Sequence, residues 1–255
     1  INLPIVTTLH GTDITLVGKS PYVLSAVNYA INNSSIVTAV SENLKTETLK
    51  YFDISNDIYV VPNFIELPTK KKSINIASST KIISHISNFR PVKRVLDVIN
   101  IFEIIAKKIN VKLIMAGDGP DLKKAQDCVH AKQLDSVVDF IGATNDVGGV
   151  LDKTDLFLLP SESESFGLVA LEAMSFGIPV VSTQSGGITE LVLDDFNGYT
   201  CNVGNIDSMA HMAIKLLSNN RLYQNLSNNA YNTARKYDIN NVVPLYEECY
   251  KKALN

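Results

Sequence analysis

Residues 156–183 read LFLLPSESESFGLVALEAMSFGIPVVST, and this stretch decides the fold class. The apolar run LFLLP predicts a buried strand, GLVALEAMSFG predicts a helix, and IPVVST predicts a second strand. Strands without polar alternation, joined by a helix, are typical of a parallel sheet covered on both faces. The stretch also carries two acidic residues, Glu164 and Glu172, and their position at the end of a strand and inside an apolar helix calls for an explanation.

The same alternation of strand and helix continues on both sides of this stretch. Further strands are predicted over residues 4–9, 35–40, 57–62, 81–87, 111–117 and 137–142. Helices are predicted over residues 21–32, 41–52 with Ser41 as N-cap, 91–109 and 121–134. The pattern predicts an α/β protein with one complete doubly wound domain, preceded by part of another that has roughly three strands.

Residues 63–73, NFIELPTKKKS, interrupt the alternation with a proline and three consecutive lysines, and are predicted to be an interdomain linker. The predicted domains are therefore residues 1–62, the remnant of a first domain, and residues 74–240, a second domain, followed by a final helix over residues 241–255. Because the chain starts without methionine, inside a strand-like run, we expect its beginning to be cut from something longer.

Composition excludes several classes of function. A formal net charge of −3 and a pI near 5.8 give no reason to expect a nucleic-acid partner. Cys128, Cys201 and Cys249 are far apart and form no C-x-x-C motif, which argues against a disulfide framework or zinc site and fits a reducing cytoplasm. No apolar run reaches the roughly 18 residues of a membrane helix, so no membrane span is expected.

Two loops at predicted strand ends carry glycines or cations. AGDGPD, residues 116–121, lacks the third glycine of a dinucleotide fingerprint, so Gly117 indicates either a tight turn or a close approach to a ligand. In SNFRPVKR, residues 87–94, Arg90, Lys93 and Arg94 fall at a predicted helix N-terminus, where the helix dipole opposes cations. A bound diphosphate would resolve the conflict, and a solvated basic turn is the alternative. The chain has no D-x-D motif, so we expect neither a metal site nor a cofactor.

Glu164 and Glu172 are predicted to bind a ligand that carries hydroxyl groups. A buried carboxylate needs a partner, and an ionised carboxylate is a pure hydrogen-bond acceptor. The alternative is that Glu164 is a solvated loop residue and that Glu172 reaches solvent from a helix face.

The sequence around Glu164 and Glu172 is specific to one protein family. LPSESESFGLVALEAMSFGIPVVSTQSGGITELV, residues 159–192, together with SNFRPVKR, AGDGP and PNF, resembles the retaining GT-B glycosyltransferases of family 4. The resemblance covers essentially the whole chain and implies the GT-B fold, with two Rossmann-like domains. TTLHGTDITLVG, AVSENLK and VPNFIE are also similar to the bacillithiol-pathway family that transfers N-acetylglucosamine from UDP-N-acetylglucosamine to L-malate.

The resemblance implies a role for each matching residue. Glu172 would accept the ribose hydroxyls of UDP, and Arg90 and Lys93 would bind the diphosphate and stabilise the charge on the leaving UDP. Glu164 would hold the 3- and 4-hydroxyls of the donor sugar, and His10 would approach its 6-hydroxyl; a satisfied histidine at a strand end is the alternative for His10. The other implied substrate contacts are Gly11, Thr12, Asp13, Gly117 and the backbone N–H groups of Phe166, Gly167 and Leu168. The implied partners are UDP-N-acetylglucosamine and a small hydroxy-acid acceptor, and members of the family often form homodimers.

The chain also departs from the family pattern. The first strand and the Gly-rich loop of the family's first domain are missing, so we expect the chain as written to bind UDP weakly and to catalyse poorly or not at all. VVPLYEECYKKAL resembles the family's last helix, which crosses back to the first domain. Three alternatives remain: another acceptor, an isomerase like the UDP-N-acetylglucosamine 2-epimerases, or a non-catalytic nucleotide-sugar-binding remnant. The motif ESFGLVALEAM argues against the isomerase.

Overall fold

The computed structural model describes residues 3–11, 14, 21–69 and 80–254. The chain packs as two compact units. Unit 1 comprises Ile1–Glu66, Glu164–Leu168 and Lys236–Asn255, and unit 2 comprises Leu67–Ser163 and Val169–Arg235. Residues 63–66, 164–168 and 236–240 thus pack with unit 1, whereas the sequence analysis assigns them to the linker and the second domain.

Unit 1 contains a parallel sheet that, within the described residues, has the strand order β1-β2-β3. Its strands are β1 (Val6–Leu9), β2 (Ile36–Ala39) and β3 (Ile58–Val60), and its helices are α1 (Pro21–Asn32), α2 (Glu42–Tyr51) and α10 (Ile239–Leu254). The predicted cap of α2 is confirmed, because the Leu44 amide donates to Ser41 Oγ at 3.1 Å.

Helix α10 is fixed to unit 1 at its start and along its length. Ile65, just after β3, receives one backbone hydrogen bond from Ile239 at 2.9 Å and donates another to Tyr237 at 3.0 Å. Further along, Val242 and Cys249 are buried with Val61 in one apolar cluster. These contacts place α10 within unit 1, against the segment that follows β3.

Unit 2 contains a second sheet, with the order β6-β5-β4-β7-β8-β9 among the described residues, and every pairing in it is parallel. Its strands are β4 (Lys81–Ile86), β5 (Val111–Ala116), β6 (Val138–Gly142), β7 (Leu156–Leu159), β8 (Val180–Thr183) and β9 (Gly198–Cys201). The helices that follow them are α3 (Val95–Ala106), α4 (Leu122–Ala131), α5 (Val147–Lys153), α6 (Leu168–Ser175), α7 (Ile188–Leu191), α8 (Ile206–Leu217) and α9 (Asn220–Ala234). The predicted α/β class and parallel strands are confirmed.

The apolar strands of unit 2 owe their composition to complete burial. Every residue of β7 and β8 is buried, which explains why LFLLP and IPVVST show no polar alternation. Burial of each such aliphatic side chain contributes roughly 1.5–3 kcal/mol to the transfer free energy on folding. The burial pattern thus confirms the sheet of unit 2 as one that is covered on both faces.

The single helix predicted over residues 91–109 is wrong at its start. Residues Pro91–Lys93 form a 3-10 turn, Arg94 adopts a left-handed conformation with φ 50°, and α3 begins only at Val95. The backbone N–H of Glu162 donates to the carbonyl of Val92 at 2.8 Å, so the turn is held by a loop distant in sequence. The tertiary contact overrides a local pattern that favours a continuous helix.

None of the helices in the described part of the chain combines the length and apolar character that crossing a membrane requires.

Candidate functional site

The order of the strands in unit 2 marks where a ligand is expected. The chain builds β4, β5 and β6 toward one edge of the sheet and then β7, β8 and β9 toward the other, so the direction reverses between β4 and β7. Ligands of open α/β sheets bind beyond the carboxyl ends of the strands at such a switch point. Two loops leave this point, the β4 loop (residues 87–90) and the β7 loop (residues 160–163). The hydrogen bond from Glu162 to Val92 joins the β7 loop to the turn that follows the β4 loop.

Gly117 and Gly119 allow a third loop to pack against the β4 loop. A Cβ atom on Gly117 would lie 1.8 Å from the carbonyl oxygen of Ser87, and one on Gly119 would lie 2.1 Å from that of Asn88. Both glycines also have positive φ, 139° and 153°. The close approaches and the positive φ values support the interpretation of AGDGPD as a tight turn. A contact between Gly117 and the substrate stays a prediction.

The three predicted cations differ in their surroundings in the structure. The third, Arg94, donates from Nε to Asp97 Oδ2 at 2.6 Å, so a first-turn carboxylate of α3 already neutralises it. Arg90 is exposed, and the residues described in the structure give its guanidinium no hydrogen bond or ion pair. Lys93 lies close enough to the buried His85 for its charge to contribute to lowering the pKa of that imidazole.

Glu172 lies on α6 as a partly buried carboxylate. Burial raises its pKa above the ordinary value of 4.5, and no hydrogen bond or ion pair to its carboxylate is found in the described part of the chain. The bond that Glu172 accepts from Ser175 Oγ, at 2.6 Å, goes to its backbone carbonyl and not to its carboxylate. The side-chain oxygens are therefore open acceptors within the described part of the chain. A carboxylate that is partly desolvated without a protein partner is suited to accept hydrogen bonds from a ligand.

Unit 1 brings a second set of predicted residues together. A Cβ atom on Gly11, whose φ is 123°, would lie 1.7 Å from Ser165 Oγ, so the loop after β1 touches the segment 164–168. Ser41 Oγ, beyond the end of β2, donates to the carbonyl of Ser165 at 2.7 Å. The segment is anchored further by Phe166, which is buried and packs edge-to-face on Tyr237 with ring centroids 5.6 Å apart. Within this segment Gly167 has φ 91°, a conformation that favours glycine.

A pocket of about 460 Å³ opens at the same edge of unit 1. Its described lining includes Thr8, His10, Asn63, Phe64, Leu168 and Glu247. His10 is exposed at this pocket. Glu164, four residues before Leu168 in the chain, is partly buried. The predicted contacts Thr12 and Asp13 lie outside the described residues.

No group of three or more His, Cys, Asp or Glu side chains in the described ranges is arranged to hold a metal ion. The three cysteines are free.

The sequence analysis did not identify three residues that shape the site. Ser41 was predicted only as a helix cap, yet it also holds the segment 164–168. His85 and Ser87 hydrogen-bond to each other at 2.8 Å at the start of the β4 loop. The sequence feature that could have identified His85 and Ser87 is a lone histidine in the apolar strand KIISHI, directly before a loop of polar and basic residues.

The chain matches two families that together cover both units. Residues 67–233 match the family described as Glycosyl transferases group 1, and residues 1–68 match Glycosyltransferase Family 4. It is 39% identical over 261 aligned residues to the N-acetyl-alpha-D-glucosaminyl L-malate synthase of Bacillus anthracis. That alignment covers 99% of this chain and 68% of the synthase.

Solved structures share the fold at lower identity. HepE from Anabaena, in a complex with UDP and glucose, superposes with a TM-score of 0.88 at 22% identity, over 97% of this chain and 71% of that one. TarM from S. aureus, in a complex that includes UDP, gives a TM-score of 0.84 at 24% identity over 97% of this chain. The chain spans only 50% of the TarM chain. These neighbours are GT-B glycosyltransferases, and the likeness confirms the predicted GT-B fold.

Proposed function

The chain belongs to the group 1 glycosyltransferases, and from that premise we propose that it transfers N-acetylglucosamine from UDP-N-acetylglucosamine to L-malate with retention at the anomeric carbon, the first step of bacillithiol synthesis. The choice of donor and acceptor rests on one observation, the similarity to the B. anthracis synthase along nearly the whole chain. The geometry of unit 2 supports the nucleotide end of the donor, because an open carboxylate and an exposed guanidinium belong to that unit.

We assign the UDP moiety to unit 2. Glu172 accepts hydrogen bonds from the ribose hydroxyls, which satisfies its partly buried carboxylate. Arg90 and Lys93 bind the diphosphate, and they stabilise the negative charge that grows as the bond from the anomeric carbon to the phosphate oxygen breaks. The 3- and 4-hydroxyls of the sugar are assigned to Glu164 and the backbone N–H groups of residues 166–168, and the 6-hydroxyl to His10, all of unit 1. No protein nucleophile is assigned. The acceptor hydroxyl oxygen bonds to the anomeric carbon on the face from which UDP leaves, through an oxocarbenium-like transition state, and its proton passes to the leaving phosphate oxygen.

One observation favours a second candidate, a transferase of the same family with an uncharged hydroxylated acceptor. The described lining of the unit 1 pocket includes Phe64, Tyr246, Tyr250 and the carboxylate of Glu247, but no lysine or arginine. A malate dianion in this pocket would meet repulsion from Glu247, and no lysine or arginine of the described lining would offset it. A neutral polyol could instead stack on the aromatic rings and donate to the carboxylate.

The proposal is tested by incubating the purified protein with UDP-N-acetylglucosamine and L-malate, D-malate or glycerol. We expect a new glycoside to form only when L-malate is the acceptor. Its proton NMR spectrum should show the small anomeric coupling constant of an α-linkage. A glycoside with glycerol but not L-malate would favour the second candidate, and UDP-N-acetylmannosamine formed without any acceptor would identify an epimerase. UDP binding without any turnover would indicate a non-catalytic module.

The proposal also predicts that nucleotide binding does not depend on a divalent metal. Because Arg90 and Lys93 supply the charge that meets the diphosphate, calorimetric titration of UDP should give the same Kd, within about twofold, in EDTA and in Mg²⁺. A tenfold loss of affinity in EDTA that Mg²⁺ restores would contradict this assignment of the diphosphate charge.

A further inference from the structure

A buried hydrogen-bond relay underlies the β4 loop of unit 2. His85, in β4, is completely buried between the strand core and the loop. Its Nδ1 lies 2.9 Å from the carbonyl oxygen of Leu158 in β7, and its Nε2 lies 2.8 Å from Ser87 Oγ. The imidazole therefore joins the two strands that flank the switch point to the first residue of the β4 loop.

The bonding partners fix the tautomer of His85. A carbonyl oxygen can only accept, so Nδ1 carries the proton and donates to Leu158, and Nε2 is left as an acceptor. Ser87 Oγ must then donate to Nε2, and it accepts from the backbone N–H of Phe89 at 3.3 Å. Burial lowers the pKa of His85 from 6.5 to about 4, so the imidazole is neutral near pH 7 and the relay keeps this direction.

The relay ends at a residue with an unusual backbone conformation. Phe89 has φ 37°, which a residue with a Cβ rarely adopts. Its side chain is completely buried, and its carbonyl accepts from the Asp121 amide at 3.0 Å. Strained residues persist where the surroundings hold them from several sides, and here the Ser87 hydroxyl holds the amide of Phe89 while Asp121 holds its carbonyl. Arg90 follows directly, so the conformation of Phe89 sets the direction of the backbone from which the Arg90 side chain extends.

We propose that Ser87, oriented by the buried His85, is a positioning residue for the donor diphosphate: its hydroxyl holds Phe89 in the left-handed conformation that presents Arg90. The inference rests on the proposed function, because it needs Arg90 to bind the diphosphate. Ser87 acts through Arg90 and is not itself assigned a contact with the substrate. The polar chain from the Leu158 carbonyl to the Phe89 amide thereby couples the core of the sheet to the anion site.

The test is a double-mutant cycle on UDP affinity, measured by calorimetry. Ser87→Ala should weaken UDP binding roughly tenfold, as expected for loss of one hydrogen bond that orders a charged contact. In an Arg90→Ala background the same substitution should change affinity by less than about twofold, because the residue it positions is gone. Ser87→Thr keeps the hydroxyl and should restore most of the affinity.

Ser84→Ala is the matched control for lost stability. Ser84 lies in β4 next to His85, is completely buried, and accepts a hydrogen bond from Thr154 Oγ1 at 2.9 Å. We expect this variant to lower Tm at least as much as Ser87→Ala while leaving UDP affinity unchanged.

Three outcomes would overturn the inference. Unchanged affinity in Ser87→Ala, when Arg90→Ala does lose affinity, rejects the relay and leaves the proposed function standing. An equal loss in both backgrounds means that Ser87 acts independently of Arg90. No UDP binding by the wild-type protein, or none lost in Arg90→Ala, rejects the diphosphate assignment and the relay with it.

Discussion

Replacing Arg90 with alanine is expected to lower the rate of glycosyl transfer roughly 10²–10³-fold, the usual effect of removing one donor that stabilises charge in a transition state. The guanidinium faces solvent and has no protein partner in the described residues, so no internal contact is lost with it. Tm should therefore stay within about 1 °C of the wild-type value, since exposed substitutions of this kind change stability little. Initial rates with saturating acceptor, together with thermal unfolding curves, give both numbers.

Two further variants define the effect. Arg221→Ala removes an exposed arginine from α9 of the same unit and should leave the rate unchanged, which controls for net charge. Arg90→Lys should recover only part of the rate, because a lysine ammonium cannot bind two phosphate oxygens in the forked geometry of a guanidinium. If Arg90→Ala retained more than about a third of the wild-type rate, the diphosphate would have to be bound elsewhere.

The fold was predictable where local pattern and tertiary environment agree. LFLLP and IPVVST are apolar throughout because both faces of β7 and β8 are covered, and Ser41 caps α2 because the backbone amide of Leu44 needs an acceptor. The strand β9, by contrast, was not predicted. Its first residue, Gly198, is a poor strand former, but a Cβ there would lie 2.2 Å from the carbonyl oxygen of Val180, so the sheet itself requires glycine.

The candidate site was predictable in its residue types but not in its geometry. Arg90, Lys93 and Arg94 look equivalent in sequence, and only the structure shows that Arg94 adopts a left-handed turn and bonds to Asp97. Nothing in the local sequence specifies that turn, because it depends on the bond from Glu162 to Val92, about 70 residues apart. The relay through His85 was hidden for the same reason: its partner Leu158 belongs to another strand.

The assigned groups of the two units differ in what the structure shows of them. In unit 2 the Glu172 carboxylate is partly desolvated and has no described partner, a cost that hydrogen bonds from a ligand would offset. The Arg90 guanidinium is exposed and unpaired within the described residues, so it can meet an anion without losing an internal contact. In unit 1 the structure fixes positions, because Gly11, Ser41 and Phe166 hold the segment 164–168 at the carboxyl edge of the sheet. The strongest tests therefore concern unit 2.

Glu172→Gln is expected to weaken UDP binding and, at the same time, to stabilise the fold. Loss of charge-assisted bonds to two ribose hydroxyls should lower affinity at least tenfold, and roughly 100-fold in Glu172→Ala. Because burial raises the pKa of Glu172, the ionised side chain costs folding free energy that neutral glutamine does not. Removing such a functional cost commonly stabilises a protein by roughly 0.5–2 kcal/mol, which calorimetry and thermal unfolding would detect together.

The gain in stability should depend on pH in a defined direction. A group whose folded pKa is raised binds more protons in the folded than in the unfolded state, so its contribution to stability is lost as pH rises through the folded pKa. Glu172→Gln and wild type should therefore unfold alike below pH 4.5, the ordinary value, and diverge as the pH approaches neutrality. Asp152→Asn, which neutralises an exposed acid on α5, should show neither the divergence nor the loss of UDP affinity. A Glu172→Gln variant that bound UDP normally would remove the carboxylate from the nucleotide site, and one that was less stable at pH 7 would mean that Glu172 has a partner in the folded chain.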